Sequence, residues 1–275
     1  MNTNKKPVPR PFLKWAGGKT ALLPEIITRL PAHQIGHYCE PFLGGGAVFF
    51  ELSRLGRIDN ATLQDVNAEL ITTYKVVRSC VDELIDRLRD AQRTVFTKEE
   101  YLRCREEKPD IDDAVGTAVW MITMNRTCFN GLWRTNAVGK FNTAWGARPH
   151  VTLLDEPNLR ACSSALQRAR LIQQRFEGAF EDLVETLYYC DPPYVPRDDT
   201  SFVAYAKQGF SHHDHVALAT LLRDAKANGH TVMAHNIDCE FVRALYSDFE
   251  ITSVAGSRRI SRDGNRDSVA EVIIC

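Results

Sequence analysis

Short apolar runs alternate with helix-like patterns at both ends of this chain, and that alternation most constrains its fold. Strand-like runs are Gly36–Cys39, Ala61–Gln64, Ala169–Gln173, Thr186–Cys190, His230–His235 and Val269–Ile274. Helical spacing covers Thr20–Leu30, Ala47–Leu55, Pro157–Gln167, His213–Ala227 and Cys239–Tyr246. Strands interleaved with helices predict a mostly parallel α/β sheet. The middle of the chain breaks the rhythm. Asn67–Leu88 reads as one long amphipathic helix, and Asp113–Asn125 as an apolar one. Thr97–Glu107 reads as a helix with Thr97 as N-cap and Glu100 at the capping-box position. Arg126–Pro149 is rich in Asn, Gly and aromatics and has little periodicity. The expected division is therefore 1–67 plus 155–275 as one domain, with 68–154 as an inserted, mainly helical one.

At 275 residues the chain is long enough for a sizeable core. With 44% hydrophobic and 25% charged residues it has globular composition, which excludes disorder and collagen-like repeats. No apolar run approaches the roughly 20 residues of a membrane helix. Positive charge at the N-terminus is followed by no apolar stretch, so no signal peptide is expected. Eight scattered cysteines without a Cys-x-x-Cys pair read as reduced thiols, and no spacing supports a metal site. These features point to a cytoplasmic protein.

Net charge is −1, so a global nucleic-acid signature is absent, but the local distribution is uneven. Residues 114–154 hold Arg126, Arg134, Lys140 and Arg148 and no carboxylate, interleaved with Trp120, Phe129, Trp133, Phe141 and Trp145. Cations among aromatics suit a polyanion with stackable bases; a plain core segment is the rival reading. Another cationic cluster is Arg258, Arg259, Arg262 and Arg266.

Three motifs carry chemistry. Gly18-Lys19-Thr20 suggests a P-loop, but position 13 is leucine where that motif requires glycine, and no buried strand precedes it. What remains is a glycine turn opening a helix, with Lys19 near its N-terminus, suited to an anion such as a carboxylate. The second motif runs from the first strand through Glu40-Pro41-Phe42-Leu43-Gly44-Gly45-Gly46 into a helix. Asp65 ends the next strand, 21 residues after Gly44, where an acid can accept from ribose hydroxyls. Together they indicate a nucleoside-containing ligand, and the absence of Gly-x-Gly-x-x-Gly argues against a nicotinamide dinucleotide. The third is Asp191-Pro192-Pro193-Tyr194, after an apolar strand. Prolines lack N–H donors and leave carbonyls as acceptors. Asp191 and the Pro192 carbonyl can accept the hydrogens of an exocyclic amine whose base stacks on Tyr194. The amine lone pair is then less delocalised and can attack an electrophile.

The order of these motifs resembles the Dam-type DNA adenine-N6 methyltransferases, the alpha group of the D12 class, over almost the whole chain. Further similar stretches are Asn125-Arg126, Phe129-Asn130-Gly131-Leu132, Gly139-Lys140-Phe141-Asn142, Thr200-Ser201-Phe202 with Tyr205, and Arg258-Arg259. The resemblance implies a Rossmann-like methyltransferase sheet with a target-recognition domain at 68–154, and S-adenosylmethionine as cofactor. Trp15, Lys19, Asp65 and Asp191 match cofactor-binding positions, and Glu40, Phe42 and Gly44 would hold the methionine end and the loop beneath it. Asp191, Pro192, Pro193 and Tyr194 would form the catalytic amine pocket, with Phe180 closing it over the base. Lys14 would read or anchor the edge of the site. Phe129, Asn130 and Leu132 match the loop that enters duplex DNA, with Lys140 and Arg148 beside it, and Arg134 stands where the family reads guanine. The chain departs from the family pattern at Ala144, Trp145, Ala147-Arg148 and Ala179. The expected activity is methylation of adenine N6 in duplex DNA, within GATC, by base flipping and direct in-line transfer. The protein would act as a monomer in a bacterial or phage-infected cell, without metal or membrane. The rivals are a methyltransferase for RNA or a glutamine side chain, and a non-catalytic nucleic-acid binder.

Overall fold

A computed structural model of the chain describes residues 7–110, 112–180, 185–195, 209–255 and 270–275. Thr200–Phe202, Tyr205 and the arginines at 258, 259, 262 and 266 lie outside the described residues. The chain divides into two compact units, one of residues 1–20, 44–57 and 67–173, the other of 21–43, 58–66 and 174–275.

The second unit begins with helix α1 (Leu23–Arg29) and is built on a sheet. Its strands are β1 (Ile35–Glu40), β2 (Ile58–Asp65), β4 (Thr186–Cys190), β5 (Thr231–Ile237), β6 (Ile251–Ala255) and β7 (Ala270–Ile274), ordered β2-β1-β4-β5-β7-β6. The β2-β1-β4-β5 ladders are parallel, with Cys39 paired to both Thr62 and Tyr188. β7 runs antiparallel to both β5 and β6. Central parallel strands have both faces covered, which is why every residue of β4 is buried. Against β5 packs helix α8 (His212–Ala227), opened by a reciprocal capping box between Ser211 and Asp214. Leu218 and Leu222 of α8 join Val232, Ala234, Tyr188, Val272 and Ile274 in one core. β6 is not among the expected strands; it is a short edge strand defined by its backbone pairing with β7, with Val254 buried and Ser253 exposed.

The first unit is helical, with one strand among its described residues, β3 (Ala169–Gln173). Its helices are α2 (Ala47–Arg54), α3 (Ala68–Ser79), α4 (Val81–Ala91), α5 (Lys98–Glu106), α6 (Ala114–Thr127) and α7 (Glu156–Leu166). α6 is buried on nearly all sides and packs against α3, α4 and α5. Asp113 caps it by accepting from Gly116 N at 2.8 Å. The helix expected over 67–88 is two helices. Cys80, at φ −134°, ψ 35°, ends α3 and opens α4. At α5 half of the expected capping box forms: Thr97 Oγ1 accepts from Glu100 N, but the Glu100 carboxylate binds Arg103.

The irregular 126–149 stretch folds back on itself as a hairpin-like loop. Bridges join Cys128 to Trp145 and Thr135 to Phe141, and Asn142 N donates to Arg134 O at 2.9 Å. No helix of the described residues is long and apolar enough to cross a membrane.

Candidate active site and nucleic-acid interface

In the second unit the parallel strands end in acids. Glu40 ends β1, Asp65 ends β2, and Asp191 directly follows β4. The chain leaves β1 for β2 on one side and returns to β4 on the other, so these carboxyls flank the point where strand order reverses. That crevice is where open α/β sheets bind ligands.

Each acid has a definite setting. Glu40 is buried and accepts from Tyr38 Oη at 3.0 Å, and burial plus this neighbour pushes the Tyr38 hydroxyl well above its ordinary range. Asp65 is held by backbone: its carbonyl accepts from Gln174 N at 3.2 Å, beside a Gln174–Gln64 side-chain bond of 2.8 Å. Gln64 also donates to Arg175 O, and Gln174 to Gly178 O. This amide network ties the end of β2 to the turn that carries Phe180. Phe42 stacks on Phe176 at 5.5 Å, and Phe180 on Tyr188 at 4.6 Å. Pro192 is buried and Pro193 exposed. Tyr194 is half-buried and its Oη donates to Glu271 Oε2 at 2.8 Å.

The first unit holds the other group of expected residues. Trp15 stacks on Trp133 at 6.4 Å, and Trp133 meets Phe141 at 4.6 Å and Trp120 at 5.7 Å. Gly44 sits at φ +46°, and a Cβ there would lie 2.6 Å from the Trp15 ring. No side chain fits, so glycine is required for two independent reasons. Lys19 is buried, with Nζ donating to Gly17 O at 2.6 Å.

Asn125, in the last turn of α6, is fully buried and clamps two segments. Its Oδ1 accepts from Lys14 N at 2.9 Å, and its Nδ2 donates to Lys14 O at 2.7 Å and Gly131 O at 3.2 Å. Gly131 sits at φ +69°, and a Cβ there would lie 2.6 Å from the Lys14 Cβ, so only glycine lets the 129–131 turn pack this closely against Lys14. Burial, then Arg148 and Arg126, lower the Lys14 pKa. Beyond the turn, Phe129, Asn130, Leu132, Arg134, Lys140 and Arg148 are all exposed. Arg134 Nε donates to Asn142 Oδ1 at 2.9 Å and Nη2 to Asn142 O at 3.3 Å, which sets the guanidinium plane.

The sheet edge thus brings together Glu40, Asp65 and Asp191. The helical unit brings together Trp15 with Gly44, and Lys14 with the 129–132 turn. Asn125, Asn142, Gln64, Gln174 and Glu271 were not assigned roles from sequence. All are polar side chains that act on backbone or on another site residue, and only Asn125 and Asn142 stood in a motif at all. Among the described residues no group of His, Cys, Asp or Glu is placed to hold a metal. A cavity of about 180 Å³ lined by His33, Gly36, Glu185 and Thr231 lies at the opposite edge of the sheet, beside the starts of β1, β4 and β5.

Comparison with known proteins identifies the chemistry. Residues 15–260 match the family described as D12 class N6 adenine-specific DNA methyltransferase. The chain is 35% identical over 284 residues to a type II methyltransferase, M.MjaIII, of Methanocaldococcus jannaschii, covering 96% of this chain and 98% of that protein. It is 34% identical over 274 residues to a DNA adenine methylase of Vibrio cholerae, covering 96% and 95%. It is 33% identical over 272 residues to a DNA N-6-adenine-methyltransferase of Escherichia phage P1, covering 96% of this chain and 35% of that protein. The chain belongs to the D12 class of N6 adenine-specific DNA methyltransferases, enzymes that draw their methyl group from S-adenosylmethionine.

Proposed function

We propose that the protein methylates adenine N6 within 5′-GATC-3′ in duplex DNA, on a base flipped out of the helix, by direct in-line transfer. The carrying observation is the row of three acids on adjacent strand ends, closed by Asp191-Pro192-Pro193-Tyr194. The residues suit S-adenosylmethionine: Asp65 ends β2 and offers a carboxylate to ribose hydroxyls, Glu40 ends β1 and offers one to an ammonium group, and Gly44 lets the Trp15 ring lie against the backbone. Phe42 and Lys19 complete that set. When bound, the cofactor supplies an electrophilic methyl group.

Asp191 and the Pro192 carbonyl hold the target amine by its two hydrogens, which concentrates the lone pair on nitrogen. Pro193 stiffens the turn, Tyr194 stacks on the base, and Phe180 borders the pocket. Base flipping is required because the amine lies inside the duplex. Positioning and fixed dipoles provide the acceleration, with no covalent enzyme intermediate.

Residues 68–154 act as the target-recognition domain, and 1–67 with 155–275 as the catalytic domain. The exposed loop with Phe129, Asn130, Leu132, Arg134, Lys140 and Arg148, next to Lys14, supports this reading, because residues 114–154 contain no acid to repel phosphate. Arg134 has the fork that matches guanine O6 and N7. We place the protein, as a monomer, in bacterial or phage-infected cytoplasm, which suits its Vibrio and phage relatives.

The test is N6-methyladenine sequencing of a random-sequence duplex library treated with the pure protein and S-adenosylmethionine. Methylation confined to GATC is expected. Methylation at a different consensus would overturn the specificity, and the recognition role of Arg134 with it.

A further inference from the structure

Glu271 is a buried carboxyl, 4% exposed, near the start of the antiparallel strand β7. An apolar residue would complete that strand at lower cost, since a buried polar group is unfavourable unless hydrogen-bonded. Its partner among the described residues is Tyr194, whose Oη donates to Oε2 at 2.8 Å. A second anchor lies on the neighbouring strand. Asn236 of β5, 1% exposed, accepts from Val195 N at 3.2 Å through Oδ1, and the same oxygen accepts from Ile237 N at 2.9 Å. The two anchors come from consecutive rungs of one ladder, where Asn236 pairs with Val272 and Ile237 with Glu271. Tyr194 is therefore held from two sides, the N–H of the next residue, Val195, by β5 and its own hydroxyl by β7.

We propose that Glu271 is a positioning residue for methyl transfer. It presets the Tyr194 ring to receive the extruded adenine, so that the ring need not be ordered when the base arrives. This rests on the reading that Tyr194 stacks on the target base. A ring fixed in advance escapes the entropy cost of immobilising a side chain on binding, about tenfold in rate or affinity. β7 then serves the pocket as well as the sheet.

The experiment measures single-turnover methyl transfer, the fluorescence of 2-aminopurine at the target position, and cofactor affinity, in five variants. Tyr194→Phe and Glu271→Leu should each slow transfer about tenfold and alter the 2-aminopurine signal, with cofactor affinity unchanged. The double variant should be no slower than either single one. Glu271→Gln, which keeps an acceptor in place, should stay within about threefold of the parent. Losses that multiply in the double variant, or a Gln variant as impaired as the Leu variant, would overturn the proposal. If Glu271→Leu does not fold, Tyr194→Phe alone decides, because full activity without the hydroxyl leaves Glu271 nothing to position. Tyr194→Ala separates this inference from the reading beneath it. Unchanged rate and fluorescence there would remove Tyr194 from the base pocket and overturn both, whereas a lost signal with multiplying Glu271 effects overturns only the coupling.

Discussion

Replacing Asn125 by alanine removes three hydrogen bonds at once: Lys14 N to Oδ1, and Nδ2 to the carbonyls of Lys14 and Gly131. The site is fully buried, so water does not substitute freely. Each bond contributes about 1 kcal/mol, and stranding a buried donor or acceptor costs about 1–3 kcal/mol. Two carbonyls keep a second lone pair, so the sum is roughly 2–4 kcal/mol. For a chain of this size that lowers Tm by about 5–15 °C. Asn125→Asp is a sharper probe. It retains an acceptor for Lys14 N but loses both donors, and sets a carboxylate against two carbonyl oxygens. Its deficit should be at least as large at pH 7 and should shrink at low pH, where a protonated carboxyl can donate again. Calorimetric melting at pH 7 and pH 5 measures both effects. The same amide joins Lys14 to the 129–132 turn, so sequence preference should loosen in both variants. An Asn125→Ala protein melting within about 2 °C of the parent would show that these three bonds do not hold the two segments together.

Three further outcomes are expected. Asp65→Ala should weaken S-adenosylmethionine about 10–150-fold, the worth of a charge-assisted hydrogen bond, with little effect on DNA affinity; calorimetry that finds an unchanged cofactor affinity would contradict it. Arg134→Ala should cost about 1–3 kcal/mol at the cognate site and relax discrimination at one base pair, whereas a phosphate contact would weaken all sequences equally and reduce the salt slope by about one; methylation rates on substituted duplexes decide between these. Burial, chiefly, holds the His215 pKa down at about 4, against an ordinary 6.5. The unfolded chain therefore binds the extra proton first, and the contribution of His215 is full above about pH 6.5 and lost as pH falls towards 4. Melting curves across that range should show a flatter acid limb in His215→Phe.

Much of the sheet was legible because it is written in short apolar runs whose ends carry the motifs. β4 reads as a strand from five consecutive residues that suit two covered faces, and Asp191 follows it without a gap. The break at Cys80 was not legible. Leu70, Tyr74, Val77, Leu84 and Leu88 continue one helical spacing across it, so periodicity alone sees a single helix. The hairpin at 127–146 was hidden for the opposite reason. Its order comes from bridges at Cys128–Trp145 and Thr135–Phe141 and from left-handed turns at Asn130 and Gly131, none of which produces alternation. In the candidate site, the acids and the tyrosine were visible because each stands in a motif. Glu271, Gln64 and Gln174 were not, because what they hold is distant in sequence or is backbone.

We propose that Asp191 and the Pro192 carbonyl hold the target amine during transfer. The most direct test is the single-turnover rate of N6-methyladenine formation by Asp191→Ala, with DNA affinity measured on the same preparation. Removing a fixed electrostatic partner from a reacting group typically costs about 10²–10³ in rate. A loss of at least that size is expected, with DNA affinity within a few-fold of the parent, since phosphate contacts supply most of the binding. A rate within about tenfold of the parent would contradict it.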